Sequence, residues 1–355
     1  MKHKNLLGLL LAVTLSFSTL SACAPKEVIE TAPEISITET VSNETEATEI
    51  IITDQIGREV VFEKHTEKLV SSYYISTAIL VSLGLEDNLI GIEARAETRG
   101  LYNLAAPELI NLPAIGTGRG VNIEEIATLE PDVVIIPKRL SDAVESFESL
   151  GIPVIVVNPE TLDDFKECVA ILAKITGTDE TAEKLLNYYD EKMNLAATLT
   201  DGLENPPSVY LSAGGDYLST CTSQMYQNDL IAISGGDNVS KELTDGYWQM
   251  ISAEQINLWQ PEYIFAVSYA EYTLDDIKAD PAFSEIPAIK NDNLFVFPSA
   301  IEPWDYPTPS SVLGVLYLTH ILHPNLYTQE QYVEEARNFY KEFFGIDVTL
   351  EDLGL

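Results

Sequence analysis

Basic residues are scarce in this chain. Its 355 residues hold 20 Lys and Arg against 56 Asp and Glu, a formal charge of −36. So acidic a surface repels phosphate backbones and anionic headgroups, which excludes nucleic acid as a partner. Cysteine is scarce too. Cys23, Cys168 and Cys221 are the three present, too few for a disulfide framework. Cys168 falls in an amphipathic helical pattern and reads as a small core residue, while a bond between Cys168 and Cys221 stays open. Past the N-terminus only His65, His320 and His323 remain of the four His. That leaves no His-rich set for a bare transition metal, and His320 and His323, just ahead of Pro324, read as helix C-terminal residues. G-x-S-x-G, H-E-x-x-H, a Walker loop and G-x-G-x-x-G are all missing. Gly116-Thr117-Gly118-Arg119-Gly120 has the wrong spacing for a phosphate loop, and Ser212-Ala213-Gly214-Gly215-Asp216 places no Ser between glycines. Catalysis is therefore not expected, nor a resident cofactor. No later apolar run reaches the roughly 18 residues of a membrane-spanning helix.

What is present begins with an address. Lys2, His3 and Lys4 precede an apolar stretch from Leu6 to about Phe17, the pattern of a secretory signal rather than an ordinary anchor. Residues 1–22 are read as that signal peptide. Leu20-Ser21-Ala22-Cys23 resembles a bacterial lipobox, which implies cleavage before Cys23 and lipidation of its thiol. Stable anchoring takes two acyl chains or more. Residues 24–49 carry seven Glu and five Thr and no aromatic ring. Such a segment buries too little to fold, so 23–49 reads as a lipid-anchored acidic linker.

From residue 50 onward the chain alternates strand and helix. Ile50–Thr53 and Arg58–Phe62 flank a Gly57 turn as a hairpin. Short apolar runs follow at Leu69–Ser71, Leu89–Ile92, Val133–Ile136 and Val154–Val157, with helical patterns at Thr77–Leu83, Ile123–Leu129 and Ala143–Leu150. Such alternation predicts a parallel sheet. The series restarts at Val209–Leu211, Tyr263–Val267 and Leu294–Phe297. Between the two series, Ala182, Leu185, Tyr189, Met193 and Ala196 recur at helical spacing over about 22 residues, roughly 33 Å of helix. The fold class is α/β: an N-terminal lobe at 50–176, one long connecting helix at 177–202 and a C-terminal lobe at 203–355, with no sequence repeat recognised between lobes.

Three stretches give this pattern a likeness. The first is Thr53-Asp54-Gln55-Ile56-Gly57-Arg58-Glu59-Val60. The second is Val121-Asn122-Ile123-Glu124-Glu125-Ile126 leading to Leu129-Glu130-Pro131-Asp132-Val133. The third is Gly235-Gly236-Asp237-Asn238, then Trp248, Ser252-Ala253-Glu254-Gln255 and Trp259-Gln260-Pro261-Glu262. With the lipobox and long helix, they resemble the substrate-binding lipoproteins of ABC importers for iron–siderophore complexes, haem and cobalamin. The resemblance implies a monomer, held to the membrane by its lipid alone. Its ligand would sit in a cleft between lobes, and its partners would be an ABC permease and ATPase. It also implies that Glu124 and Glu254 dock on Arg residues of the permease, although an acid in the first turn of a helix is favourable in any case.

The cleft should be basic on one side and aromatic on the other. Four of the six Arg, namely Arg95, Arg99, Arg119 and Arg139, fall on segments just after a predicted first-lobe strand or just before a helix, with Lys138 beside the last. In cobalamin-binding relatives the loops matching Arg95 and Arg119 supply rings, whereas here they offer guanidiniums. Ion pairing with Glu93, Glu97 or Glu124 is the plainer reading of the cluster. Tyr73, Tyr217, Trp248, Tyr269, Trp304 and Tyr306 follow predicted strands or precede the second docking helix and are the candidate rings. Guanidinium forks match carboxylate, catecholate or hydroxamate oxygens. The expected cargo is thus an anionic ferric siderophore, with cobalamin or haem as the alternative. From other classes stand an adhesin or sensor lipoprotein without a transporter, and a hydrolase.

Overall fold

The inner faces of two β-sheets share a single core. This computed structural model describes residues 49–117 and 119–355. The expected signal peptide, Cys23 and nearly all of the acidic linker lie outside them. In the first sheet, Leu89–Ile92, Leu69–Ser71, Val133–Pro137 and Val154–Val157 lie side by side in that order, all parallel. Each strand is buried on both faces, and its residues alternate between two cores. Leu69, Val133, Ile135, Ile155 and Val157 enter the large central core, whereas Val70, Val134, Ile136, Val154 and Val156 enter a smaller outer one. This is the two-residue side-chain period of a strand at work. The second sheet repeats the division: Val209, Leu211, Phe265, Val267 and Phe297 face the central core, and Tyr210, Ile264 and Leu294 face a third cluster.

The second sheet is mixed, which the sequence reading did not foresee. Ser208–Ser212, Tyr263–Val267 and Leu294–Phe297 run parallel, as expected. The two-residue strands Ser219–Thr220 and Gln249–Met250 extend the sheet antiparallel, and Asp237–Asn238 adds a parallel pair. Strands so short carry no readable hydrophobic period. The hairpin pairs Ile50–Thr53 with Glu59–Phe62. The first core helix, Tyr74–Ser82, starts three residues earlier than the Thr77 expected, and all nine of its residues are buried, which erases the amphipathic edge that would mark its start.

One helix, Asp179–Thr200, spans 22 residues between the two series of strands, after Leu162–Thr176. It is joined by other ties. Tyr189 Oη donates to the Thr308 carbonyl at 2.7 Å. The Tyr226 N–H donates to the Glu160 carbonyl at 2.6 Å and the Leu101 N–H to the Ile301 carbonyl at 2.9 Å. The described residues accordingly form one compact unit. Cys168 and Cys221 are both buried free thiols, so the bond left open by the sequence is not formed. No helix among the described residues is long and apolar enough to cross a membrane.

Gly100 sits where the two halves meet behind the cleft. A Cβ there would lie 2.4 Å from the Ala300 carbonyl oxygen and 2.9 Å from Ile301 Cα. Backbone offers no flexible side chain to move aside. Gly100→Ala should therefore lower stability by about 1–3 kcal/mol in urea unfolding. An unchanged midpoint would show that this seam gives freely.

Candidate functional site

The loops after the carboxyl ends of the strands from both sheets converge on one cleft, the place where open α/β sheets bind ligands. Ser72 and Tyr73 follow Leu69–Ser71, Glu93 and Arg95 follow Leu89–Ile92, and Lys138 and Arg139 follow Val133–Pro137. From the second sheet, Ala213 and Gly214 follow Ser208–Ser212, and Tyr269 follows Tyr263–Val267. Three adjoining cavities result, of about 840, 470 and 450 Å³. Tyr269 and Tyr306 border all three. Their ring centroids are 5.1 Å apart, and they form the partition between the compartments.

Arg95, Arg99, Arg119 and Arg139 all line the largest cavity. None of the ion pairs among the described residues involves Arg95, Arg99 or Arg119. The plainer reading, pairing with Glu93, Glu97 or Glu124, is not what the structure contains. Glu93 is instead buried and accepts from Tyr102 Oη at 2.6 Å and Thr77 Oγ1 at 2.8 Å. Arg95 takes the left-handed backbone conformation, φ 70°, uncommon for a residue with a Cβ and costly by on the order of 1 kcal/mol. Arg99 stacks its guanidinium 4.0 Å from the Tyr74 ring centroid. Its Nε is buried with no hydrogen-bond partner among the described residues. Arg139 lies 4.7 Å from the Tyr73 ring centroid. Arg119 is exposed in a turn where its N–H donates to Thr117 Oγ1 at 3.1 Å.

The rings divide. Tyr73, Trp248, Tyr269 and Tyr306 border the cavities. Trp304 does not. It is fully buried, its Nε1–H donates to Tyr340 Oη at 3.1 Å, and it packs edge-on to Tyr317. Tyr217 also stands apart. It packs against Tyr272 and Phe283 and donates to Asp280 Oδ2 at 3.1 Å. Both follow strands in sequence, but several residues of loop separate each from its strand end, and that loop turns Trp304 into the core and Tyr217, half-buried, against the third cluster. Sequence reasoning missed Asn158, Glu160 and Gln227 at the aromatic compartment. Asn158 and Glu160 follow the Val154–Val157 strand directly, so the same rule that found Arg95 would have found them had residue type not been used as a filter.

The two expected docking residues occupy equivalent places. Glu124 is the second residue of the Ile123–Thr128 helix and Glu254 the second of Ala253–Trp259. Each helix is capped by a side chain, Asn122 accepting from the Glu125 N–H and Ser252 from the Gln255 N–H, both at 3.2 Å. Each is followed by a left-handed residue before a proline, Glu130 (φ 51°) and Gln260 (φ 50°). Each then has an acid that anchors the start of a neighbouring strand: Asp132 accepts from the Lys68 N–H and Glu262 from the Ser208 N–H, both at 2.9 Å. The lobes thus do contain a repeat, from Asn122-x-Glu124 and from Ser252-x-Glu254 onward, which corrects the sequence reading. Only Glu, Ile, Pro and the alternation of burial are shared, too few identities to stand out without the caps. Both Glu124 and Glu254 are exposed. The Glu254 carboxyl is held below the ordinary range by its own backbone N–H and by the Ser252 hydroxyl.

A model described as periplasmic binding protein matches residues 69–301. The chain belongs to the periplasmic binding protein family. Its relatives include the molybdate-binding protein MolA of Haemophilus influenzae, 23% identical over 318 residues that span 83% of this chain and 90% of MolA. The vitamin B12-binding protein of Yersinia pestis is 24% identical over 220 residues, 60% of this chain and 73% of that protein. Among solved structures, a periplasmic solute binding protein of Veillonella parvula has a TM-score of 0.75 at 24% identity, covering 86% of this chain and 97% of that one. MolA bound to molybdate has 0.74 at 22%, covering 84% and 99%. As a periplasmic binding protein the chain is an extracytoplasmic substrate-binding component of an ABC importer and not an enzyme.

In this periplasmic binding protein two acids lie beneath the cleft. Glu302 is wholly buried and accepts from Tyr74 Oη at 3.4 Å and from the Ser310 N–H and hydroxyl. Asp305, equally buried, accepts from Tyr269 Oη at 2.8 Å. They therefore stand behind the ring on which Arg99 stacks and behind the partition ring. Burial pushes both carboxyls up to about 7, against hydrogen bonds that favour the charged form. Unfolded, they ionise near 4. Between about pH 4 and 7 the unfolded state binds fewer protons at these groups, so their contribution makes stability fall as pH rises. For Glu302, a change from 4.5 to about 7 corresponds to roughly 3 kcal/mol. Glu302→Gln should lose most of that fall when urea unfolding is compared at pH 5 and pH 8. A variant with the parent's pH dependence would show that Glu302 ionises freely.

Proposed function

We propose that the cleft captures an anionic iron chelate, a ferric siderophore, and delivers it to an ABC permease and its ATPase. One observation carries the reading: three guanidiniums, those of Arg95, Arg99 and Arg119, face the largest cavity without an ion-pair partner among the described residues. In a chain of −36, with 56 acids available, cations left unpaired at one place favour a partner that comes from outside. Arg99 and Arg139, already lying on tyrosine rings, present planar forks suited to chelating oxygens. The adjoining compartment, walled by Trp248, Tyr247 and Tyr226, offers area for the organic part of a chelate. The main cavity, about 840 Å³, is within the range of roughly 300–1,000 Å³ that holds organic ligands. A near-neutral corrinoid would leave the guanidiniums uncompensated, and haem would answer them with its two propionates alone.

A small oxyanion is the second reading. The same unpaired guanidiniums support it, together with the likeness to MolA, which is a molybdate-binding protein. The size of the cavity supports the larger cargo. In both readings Cys23, outside the described residues, carries the lipid that tethers a monomeric receptor, and Glu124 and Glu254 meet basic residues of the permease.

Titration by Trp fluorescence should separate these cargoes, using catecholate, hydroxamate and carboxylate ferric chelates, haem, cobalamin and molybdate. A ferric chelate should bind most tightly. Arg95→Ala and Arg119→Ala should each weaken it about tenfold or more without lowering the melting temperature, because neither side chain is engaged in the fold. Equal affinity in both variants, or binding of cobalamin alone, would overturn the anionic reading.

A further inference from the structure

The repeat exposes a difference between the two docking helices. Glu124 and Glu254 hold the same position, and four residues on, on the same helical face, stand Thr128 in the first lobe and Leu258 in the second. Burial agrees almost position by position along the two helices, with Ile126 and Ile256 inward and the Glu and the fourth residue after it outward. Leu258 is 78% exposed, the highest value among the exposed large apolar side chains described, and Met250 follows at 63%. Met250 precedes the Ser252 cap by two residues, where the first lobe has Gly120. Met250 also borders the cleft, so its exposure has a second use. Leu258 borders none of the cavities described above.

A single exposed leucine needs no explanation by itself. This one lies one helical turn from a carboxylate whose structural twin has a polar neighbour in the same place. We infer that docking on the permease is lopsided: Leu258 enters an apolar socket beside the cation that receives Glu254, and the C-terminal lobe supplies most of the affinity. The inference rests on the docking reading of Glu124 and Glu254. The partner surface that fits the second lobe is a guanidinium or ammonium with an apolar hollow about one helical turn away. The first lobe, with Glu124 and Thr128, asks only for the cation. An exposed ion pair changes affinity about fivefold or less, whereas a leucine taken out of water changes it about tenfold or more. A contact of the second kind therefore outweighs its polar twin.

The test uses the full lipoprotein and its own permease–ATPase complex in lipid nanodiscs, with affinity read by surface plasmon resonance at low and high salt. Leu258→Thr should weaken docking about tenfold or more, with equal loss at both salt concentrations and an unchanged melting temperature. Thr128→Leu should not weaken it. Glu124→Arg combined with Glu254→Arg sets like charges against the permease cations and should abolish docking by repulsion, beyond the loss of two ion pairs, and this arm tests the underlying reading alone. If the double reversal docks as the parent does, the docking reading falls and the inference with it. If the reversal abolishes docking while Leu258→Thr stays within twofold of the parent, the apolar anchor is wrong and the charged contacts stand.

Discussion

The site rests on uncompensated positive charge. A protein with an excess of acids this large could neutralise every arginine it has, and Arg58 is neutralised in that way: it bonds Asp54 at 3.1 Å and Glu148 at 2.8 Å. In the cleft the pattern reverses. Glu93, two residues before Arg95, is turned inward onto Tyr102 and Thr77. Glu302 and Asp305 are held beneath the floor, where burial favours their neutral forms. The acids nearest the guanidiniums are thus bonded to other groups or pushed toward their neutral forms, and none forms an ion pair with Arg95, Arg99 or Arg119 among the described residues. What remains is a concentrated positive field in a partly desolvated hollow, where a charge-assisted hydrogen bond is worth more than on the open surface.

Rigidity makes that field useful. The central core includes side chains from both sheets and from the Asp179–Thr200 helix, so the walls of the cleft are faces of one packed body. Backbone bonds across the seam, as from Leu101 to Ile301, add to this. A guanidinium already held against such a wall, as Arg99 is on Tyr74, loses little freedom when a ligand arrives, which improves affinity without adding contacts. The left-handed backbone at Arg95 fits the same picture, a strained turn held in place by what surrounds it.

Much of this was legible in the residues. Strands such as Leu69–Ser71, Leu89–Ile92 and Val154–Val157 are read from their apolar runs to the residue, because a strand buried on both faces leaves no polar break inside it. The clustering of arginines after strands or before helices was likewise visible, since element ends and residue types are both local. Trp304 and Tyr217 mark the limit. Whether a ring after a strand turns to the cleft or the core depends on Tyr340 or Asp280, partners distant in sequence. The helix repeat was hidden for a different reason. Its shared features are caps, a left-handed residue and burial, which different side chains can satisfy: Asn122 and Ser252 do one job, as do Glu130 and Gln260.

The central claim is that the cargo is negatively charged. It is met most directly by native mass spectrometry of the protein purified from its own host, with the co-purifying molecule released and its mass and charge determined. An iron chelate bearing carboxylate, catecholate or hydroxamate oxygens is the result this account predicts. A neutral or cationic ligand seated against Arg95, Arg99 and Arg119 would contradict it.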